Sequence, residues 1–313
     1  MNKDWHYHQV PLKLKLGDKT LLTYKLWLQV REVGLDDDTP PIIKPTPPSD
    51  SLHGNSQGFL VRSMRVVDEQ PVLQKQQDYI SYIPSQYLRY YIDMQQSFAE
   101  YKNKFSSKTR STLNRKIKKY TEYCDGSISW KTYKSVEEMS EFFKCARTVS
   151  KITYQEKLLD AGLPNSDQFL HEMEQLAQQG HVRGFILFHQ TQPISYLYCP
   201  VNNGVLSYAF LGYDPSYMNF SVGTILQWFA LEHLFEERCF RFFDFTEGQS
   251  EHKKLFATHS IYCANVFFLR NNLRNKFLLY SQIVMDYISK STGDRLEQLG
   301  LKSKIKKMMR FGI

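Results

Sequence analysis

Residues 181–248 constrain the fold most, because turn residues divide this run into short strands and one helix. The strand segments RGFILFH and ISYLYCPV flank a turn at residues 190–193. Asn-Asn-Gly at residues 202–204 is a hairpin signal before the segment VLSYAFLGY. A loop over residues 214–221 leads into a predicted helix at about residues 223–238, and RFFDFT follows it. The pattern predicts three antiparallel strands, then a right-handed strand–loop–helix–strand crossover.

The N-terminal part predicts further strands. Apolar and polar residues alternate on both sides of Gly17 and Asp18 within residues 10–30, which indicates a hairpin. Five prolines between residues 39 and 48 exclude regular structure there and predict a loop. The segments GFLVRSMRVV and DYISYI are strand candidates after it. We therefore interpret residues 1–85 as a β-rich segment.

A basic stretch, SSKTRSTLNRKIKKY, occupies residues 106–120 and holds six Lys or Arg residues and no acid. Its apolar and small residues recur at helical spacing and form one stripe, made of Phe105, Thr109, Leu113, Ile117 and Tyr120. The stretch therefore predicts an amphipathic helix with a basic outer face, in which Arg110 and Lys116 flank the stripe. Ser135 and Glu138 form a capping-box signature for another helix, and residues 166–179 predict one more.

Composition limits the class of protein. Hydrophobic residues make up 42% of the chain and charged residues 23%, as in ordinary globular proteins. No apolar run approaches the ~20 residues that span a bilayer, and the N-terminal residues lack the apolar centre of a secretory signal. We therefore expect a cytoplasmic protein. The five cysteines form no C-x-x-C pair and no cluster with zinc spacing, so we expect neither a disulfide framework nor a metal.

The net charge of +8 favours an anionic partner without choosing one. A nucleotide cofactor, an acidic carrier protein, a nucleic acid and an anionic membrane all fit it. The loop NFSVGT, before the predicted helix at residue 223, indicates an anion site, because helix N-terminal N–H groups bind phosphate. Gly223 permits close approach and Ser221 or Thr224 supplies hydroxyls, although an ordinary capped helix is the alternative. The chain has no G-x-S-x-G, H-E-x-x-H or P-loop sequence.

The order of these elements is that of the GNAT acyltransferase fold, and three motifs resemble acetyltransferases associated with cellulose and exopolysaccharide synthesis. The motifs lie in residues 91–122, 212–237 and 243–257, within a resemblance that covers about residues 88–270. The matching residues are Phe98, Tyr101, Ser107, Lys108, Arg110, Leu113, Arg115, Lys116, Tyr213, Asp214, Pro215, Ser221, Gly223, Thr224, Leu226, Phe243, Asp244, Gly248, Lys253 and Phe256. His252 stands where that family usually has Tyr. The Fem-type peptidoglycan aminoacyl-transferases are a more distant resemblance.

The resemblance implies an α/β fold of GNAT type, with a mixed, mostly antiparallel sheet flanked by helices. It also implies an acyltransferase of the EC 2.3.1 class, whose donor is acetyl-CoA, a longer acyl-CoA or an acyl-carrier thioester. In that family the donor lies on the central strand and the following loop and helix. The residues here are Leu211, Gly212, Tyr213, Phe220, Ser221, Val222, Gly223 and Thr224. The acceptor is an amine or hydroxyl, in cell-surface polysaccharide or related biosynthesis.

Acyl transfer requires a base for the acceptor and an acid for the leaving thiolate. The catalytic candidates are Asp244, Glu247, Tyr213 and His252, with Tyr208 as a further proton donor. Arg110 and Lys253 are candidates for binding the substrate. Each of these candidates also has a purely structural interpretation. Asp244 is then a hydrogen-bonded carboxylate that supports the next loop, and the others are packing residues or solvated surface residues.

Three domains follow from this interpretation. Residues 1–85 are the β-rich segment, which is either unrelated or a degenerate GNAT-like half; residues 86–275 are the acyltransferase domain; residues 276–313 are C-terminal helices. The last of these ends in a basic amphipathic sequence suited to weak contact with an anionic membrane, on its cytoplasmic face. The alternative function is a nucleic-acid-binding or membrane-surface-binding protein on a GNAT scaffold without catalysis. The buried-type stripe at residues 105–120 favours the enzyme, so we expect no nucleic-acid partner.

Overall fold

A computed structural model describes residues 5–16, 19–153, 156 and 162–298 of the chain. The basic sequence after residue 298 and the turn at Gly17 and Asp18 lie outside the described residues. The chain divides into two compact units. The central unit is Tyr90–Ser260, and the terminal unit combines Met1–Arg89 with Ile261–Ile313.

Twelve strands and seven α-helices are assigned within the described residues. The strands are β1 His6–Leu16, β2 Lys19–Glu32, β3 Gly58–Arg65, β4 Leu73–Gln76, β5 Tyr79–Asp93, β6 Ser129–Tyr133, β7 Val182–His189, β8 Gln192–Asn202, β9 Val205–Ser207, β10 Phe210–Tyr213, β11 Phe242–Asp244 and β12 His259–Arg270. The helices are α1 Phe98–Asn103, α2 Ser107–Tyr123, α3 Val136–Ser150, α4 Asp167–Gln178, α5 Val222–Glu237, α6 Glu251–Phe256 and α7 Leu273–Gln298. A 3₁₀ helix at Pro215–Phe220 precedes α5.

The terminal unit contains a mixed sheet in the order β1-β2-β3-β12-β5, with β4 paired to β5. β1 and β2 form the predicted antiparallel hairpin, with His6 opposite Val30. β2 and β3 run parallel, and β3 and β12 antiparallel. The proline-rich segment is irregular, as predicted, and Arg65 holds it by donating to the backbone oxygens of Thr39, Gly34 and Leu35.

Helix α7 covers one face of this sheet. Leu278 and Leu279 are buried in a core cluster with residues of β1 and β2, among them Val10 and Leu28. On the same side, Asn275 Nδ2 donates to the backbone oxygen of Arg270 at 2.8 Å. These contacts fix one side of the helix and leave the opposite side exposed.

The central unit contains strands in the order β11-β9-β8-β7-β6, with β10 paired to β8 and the end of β5 paired to β11. The pair β9–β11 is parallel, and the other pairs are antiparallel. Asn203 and Gly204 have φ angles of +48° and +75°, as a two-residue hairpin turn of type I′ requires. The crossover from β9 and β10 through α5 to β11 therefore has the predicted order.

The predicted strand VLSYAFLGY differs in one respect, because it is interrupted at Tyr208 and Ala209. Its first part, β9, pairs with both β8 and β11, whereas its second part, β10, pairs with β8. The backbone N–H of Ala209 still reaches the Tyr198 oxygen at 3.2 Å. The sequence has no Gly or Pro at this point, and the interruption coincides with the end of the pairing between β9 and β11 at Ser207 and Asp244.

Helix α2 confirms the predicted amphipathic pattern. Ser106 caps its N-terminus by accepting from the Thr109 N–H, and Leu113 and Tyr120 are buried on its inner side. The Tyr120 hydroxyl donates to the Phe188 oxygen at 3.0 Å, which fixes the end of the helix on β7. Most of its basic side chains point to solvent. α2 is thus a packed helix with a charged outer face.

The aromatic residues of α1 anchor α5. Tyr101, completely buried, packs against Trp228 and Phe235 of α5, with ring centroids 6.4 and 5.0 Å away. Its hydroxyl donates to the Phe256 oxygen at 2.8 Å. These contacts tie α1, α5 and α6 together beside the C-terminal ends of β9 and β11.

These features confirm the fold class predicted from the sequence: a mixed, mostly antiparallel sheet flanked by helices, with additional N-terminal strands. The boundaries of the units differ from the predicted domains. The central unit ends at Ser260 rather than at residue 275, and residues 261–313 group with the N-terminal segment. Strand β12 supplies the physical reason, because its residues Cys263 to Leu269 pair with β3. No helix in the described part of the chain is long and apolar enough to cross a membrane.

The core of the central unit generates a test of stability. Phe142 of α3 is completely buried beside Tyr133 and Tyr198, whereas its neighbour Phe143 is half-buried at the edge of the same cluster. We expect Phe142→Ala to lower the free energy of unfolding by about 3–5 kcal/mol, because it leaves a cavity that the packed sheet cannot close. Phe143→Ala is the matched control and should cost clearly less. Urea unfolding followed by circular dichroism measures both, and equal losses would contradict this account of the core.

Candidate functional site

The site begins where β10 separates from β11. The parallel pair β9–β11 ends at Ser207 and Asp244, and the Tyr208 N–H donates to the Asp244 oxygen at 2.8 Å. Beyond that bond, β10 follows β8. Asp214 N–H donates to Ile194 O, so alternation along an antiparallel pair directs the N–H groups of Leu211 and Tyr213 away from β8. The separation therefore exposes a strand edge that can hydrogen-bond to an extended ligand.

The N-terminus of α5 closes this opening on one side. Ser221 has left-handed backbone angles, φ +57° and ψ +39°, and its side chain does not cap the helix. Its backbone oxygen accepts from the N–H groups of Thr224 and Ile225, while those of Val222 and Gly223 begin the helix without an intrahelical acceptor. Free N–H groups and the helix dipole together favour an anion here.

Gly223 allows α5 to approach β10. A Cβ at this position would lie 3.2 Å from Leu211 Cδ2 and 3.4 Å from Tyr213 Cδ1. A larger side chain would therefore push the helix from the strand or fill the space between them. The glycine sets the distance between the strand edge and the helix N-terminus.

A cavity of about 280 Å³ lies between these elements. It is lined by Tyr208, Leu211, Tyr213, Met218, Ser221, Val222, Gly223, Thr224 and His252. The structure thus brings together most of the residues predicted to bind the donor, together with His252 and both tyrosines. Of the other predicted donor residues, Gly212 is buried opposite Tyr196, and the Phe220 ring packs 4.4 Å from Tyr123. The functional roles of all these residues stay predictions.

His252 is held by a residue that the sequence analysis missed. Its Nε2 lies 2.6 Å from Oε1 of Gln227, which is completely buried, and its ring centroid is 4.8 Å from that of Phe256. In the tautomer with its proton on Nε2, the ring donates to this amide oxygen and Nδ1 is the basic nitrogen. A lone Gln in the apolar run TILQWFALEHLF, four residues after Gly223, was the available signal.

The surroundings of His252 keep it neutral. Burial lowers its pKa below the ordinary value of 6.5, and the positive charges of Lys116 and Lys253 lower it further. A neutral imidazole with one free nitrogen is suited to accept a proton near neutral pH. Tyr208, on the same cavity, has its pKa raised by burial and retains its proton.

Asp244, Glu247 and Lys253 form a separate group on the turn after β11. Asp244 is completely buried, and its Oδ1 accepts from the Thr246 N–H at 2.8 Å. Lys253 Nζ donates to the Glu247 backbone oxygen at 2.7 Å. Burial lowers the Lys253 pKa, while the charges of Asp244 and Glu247 act in the opposite direction. None of the three is among the described residues that line the cavity. The hydrogen bond from the Thr246 N–H to Asp244 fits a carboxylate that supports the loop.

Arg110 lies apart from the cavity, in a groove lined also by Lys102, Asn103, Asn114 and Trp228. Two other α2 residues are closer to the site. Lys119 Nζ donates to Asn219 O at 3.3 Å and lies 5.1 Å from the Phe220 ring, on the loop before α5. Lys116 acts electrostatically on His252. The basic helix therefore contributes positive charge beside the cavity through residues that the sequence analysis did not assign. The described residues contain no cluster of three metal-ligating side chains.

The electrostatics of His252 can be tested by titration. We expect Lys116→Gln to raise the His252 pKa, because it removes a nearby positive charge. Lys118→Gln, an exposed neighbour on α2 that lies 3.9 Å from Glu122, is the matched control and should leave the pKa unchanged. The His252 resonance in NMR titrations measures both. An equal shift in the two variants would contradict the placement of Lys116.

The same pKa shift has a consequence for stability. The pKa of His252 is lower in the folded state than in the unfolded state. Proton binding therefore favours the unfolded state, so the free energy of unfolding is unaffected by His252 above about pH 6.5 and decreases as the pH falls below that value.

Comparison with known proteins agrees with this geometry. Residues 107–254 match the family described as acetyltransferase (GNAT) domain. FemX is similar in structure, with 10% identity, coverage of 88% of this chain and 90% of FemX, and a TM-score of 0.48. The C-terminal domain of a putative lysylphosphatidylglycerol synthetase from Agrobacterium fabrum has 9% identity, 72% coverage of both chains and a TM-score of 0.46.

Another similar structure is a PaiA N-acetyltransferase from Thermoplasma acidophilum in complex with coenzyme A. The two sequences are 17% identical, the alignment covers 35% of this chain and 74% of the PaiA chain, and the TM-score is 0.24. No curated protein sequence matches this chain. The family match, together with the mixed sheet and the loop before α5, confirms the GNAT-like fold and supports a GNAT-type acetyltransferase domain within residues 107–254.

Proposed function

We propose that the central unit is an acyltransferase that takes an acyl group from acyl-CoA and passes it to an amine or hydroxyl. The observation that carries this proposal is the meeting of the exposed β10 edge with the uncapped N-terminus of α5 at Gly223. An acyl-CoA combines an extended pantetheine amide chain with a pyrophosphate, and this site offers a strand edge followed by a helix N-terminus. Acetyl-CoA, a longer acyl-CoA and an acyl-carrier thioester share that amide chain.

Different residues of the site bind different parts of the acyl-CoA donor. The N–H groups of Leu211 and Tyr213 bind the pantetheine amides, and those of Val222 and Gly223 bind the pyrophosphate. Lys119, beside Phe220, adds positive charge at the phosphate end. The acyl end then lies near His252 and Tyr208, which line the same cavity.

We propose direct attack with His252 as the base. Its Nδ1 removes the proton of the acceptor amine or hydroxyl, whose nitrogen or oxygen forms a bond to the thioester carbonyl carbon. The carbonyl oxygen of the resulting tetrahedral intermediate carries the negative charge. The C–S bond then breaks, and Tyr208 or Tyr213 donates its hydroxyl proton to the leaving thiolate. The proton held by His252 then passes to the tyrosine through solvent, which restores both side chains. The acceptor class, a small molecule or a saccharide of cell-surface polysaccharide synthesis, and the cytoplasmic location remain part of this proposal.

Binding of the donor gives the most direct test. We expect CoA and acyl-CoA to raise the melting temperature, since a ligand at 100 times its Kd stabilises a fold by about 2.7 kcal/mol. Gly223→Ala should weaken this shift and Gly223→Val should abolish it, because their side chains enter the space beside Leu211 and Tyr213. Arg110→Gln, in its separate groove, is the control and should keep the full shift. A thermal shift that survives Gly223→Val would exclude this site.

The identity of the base is tested by rates. His252→Gln should lower kcat by about 10²–10⁴-fold while leaving the CoA-induced thermal shift intact, because the base acts only on the reaction. Asp244→Asn should instead lower stability, because the buried carboxylate accepts from the Thr246 N–H. Release of free CoA from acetyl-CoA over a panel of amines and hydroxyl compounds measures the rate. A loss of rate in Asp244→Asn at unchanged stability, with His252→Gln active, would transfer the role of base to Asp244.

A further inference from the structure

Helix α7 of the terminal unit has an apolar stripe on its exposed side. The stripe consists of Leu273, Phe277, Tyr280, Val284, Tyr287 and Ile288. The first five follow alternating steps of four and three residues, which place them in one line along a helix. Leu273, Phe277 and Tyr287 are 84%, 73% and 74% exposed. Large apolar side chains at this exposure, in one contiguous line, indicate a surface that contacts a partner.

The opposite side of α7 explains why the stripe cannot turn inward. Leu278 and Leu279 are buried against the sheet, and Gln282 is buried beside them. Asp286 is bound on the same side by Gln282 Nε2 at 3.1 Å. The helix is therefore fixed in rotation, with Leu273, Phe277 and Tyr287 on its exposed side.

Two cationic side chains flank the stripe at the N-terminal end of α7. Arg274 and Lys276 flank the stripe on its two sides at the N-terminal end, by their spacing along the helix. Among the described side chains of α7, Asp286 is the one acid; it is exposed and accepts from Gln282 Nε2 and from the Tyr82 hydroxyl. The sequence that follows α7, from residue 299 to 313, holds five Lys or Arg residues and no acid. An anionic partner therefore complements the charge of this surface.

We propose that the exposed side of α7 docks on the surface of an anionic lipid bilayer, with the helix parallel to the membrane plane. Phe277, Val284 and Leu273 enter the boundary between headgroups and acyl chains, where apolar side chains leave water. Arg274 and Lys276 bind lipid phosphates beside them. The inference is independent of the acyl-transfer proposal, because it uses a different unit and a different ligand.

The tyrosines decide between a bilayer and a second copy of this chain. Tyr280 lies within the stripe and Tyr287 near its C-terminal end, so a helix packed along the stripe would bring both hydroxyls into the contact, where each requires an acceptor. At a membrane surface the rings enter the apolar boundary while the hydroxyls remain with water and headgroups. The composition of the stripe therefore favours a lipid surface over a coiled-coil partner.

The test uses the full chain and vesicles of phosphatidylcholine with and without phosphatidylglycerol, in a flotation assay. We expect binding to the anionic vesicles that weakens as salt rises. Phe277→Ser combined with Tyr287→Ser should lower the apparent affinity at least tenfold, because each removes a large apolar side chain from the boundary. Ile43→Ser combined with Val67→Ser changes exposed apolar residues elsewhere in the same unit and is the matched control. Since all four residues are exposed, circular dichroism should show folded protein in both variants.

Three results would overturn the proposal. The first is the absence of binding to anionic vesicles by the wild-type chain. The second is equal binding by the stripe variant and its control, which would assign any lipid affinity to the basic sequence after residue 298. The third is a dimer, seen by light scattering without vesicles, that the stripe variant loses, which would assign the stripe to a second copy of the chain.

Discussion

The candidate site depends on the separation of β10 from β11. β9 and β11 are parallel neighbours as far as Ser207 and Asp244, and β8 then retains β10 while β11 ends. A regular sheet would satisfy the N–H groups of Leu211 and Tyr213 with the next strand. Here those donors face the cavity, so the sheet itself supplies the polar groups of the site. Because the neighbouring strand ends, these backbone groups are left for the proposed donor to hydrogen-bond.

Helix α5 turns this edge into a pocket. Its start is set by the left-handed Ser221, and its distance from β10 by Gly223. Its Gln227 reaches the cavity indirectly, through the contact with His252 Nε2. One helix therefore provides the proposed anion site at its N-terminus, a close contact with the strand and the support for the proposed base. The aromatic contacts with Tyr101 fix that helix from behind.

The basic helix α2 packs on the central unit with one side, and part of its basic side lies near the cavity. Its inner stripe, with Leu113 and Tyr120, packs on the central unit, so its position is determined by burial. Its charges then differ by position: Lys116 and Lys119 lie near the cavity, whereas Arg110 lies in another groove. The helix is a structural element first, and only part of its basic face bears on the site.

Much of the fold could be predicted from the sequence, because short local patterns specify many of its strands, turns and helices. The alternation around residues 10–30, the turn at Asn203 and Gly204, and the capping box at Ser135 act over a few residues and require no distant partner. The loop before α5 was predicted for the same reason. In contrast, the break at Tyr208 has no local signal, and the contact between His252 and Gln227 joins residues that are 25 positions apart.

The sequence by itself determined which segments form strands and helices and where the loop before α5 begins, since periodicity and turn residues act locally. Only the tertiary structure decided which groups meet. It placed His252 on the cavity, and Asp244, predicted beside it, on a buried loop contact. It also decided that Leu278 of α7 is buried while Phe277, its neighbour, is exposed. Both are apolar in the sequence, and the face of a helix that meets the sheet is set by the residues of other strands.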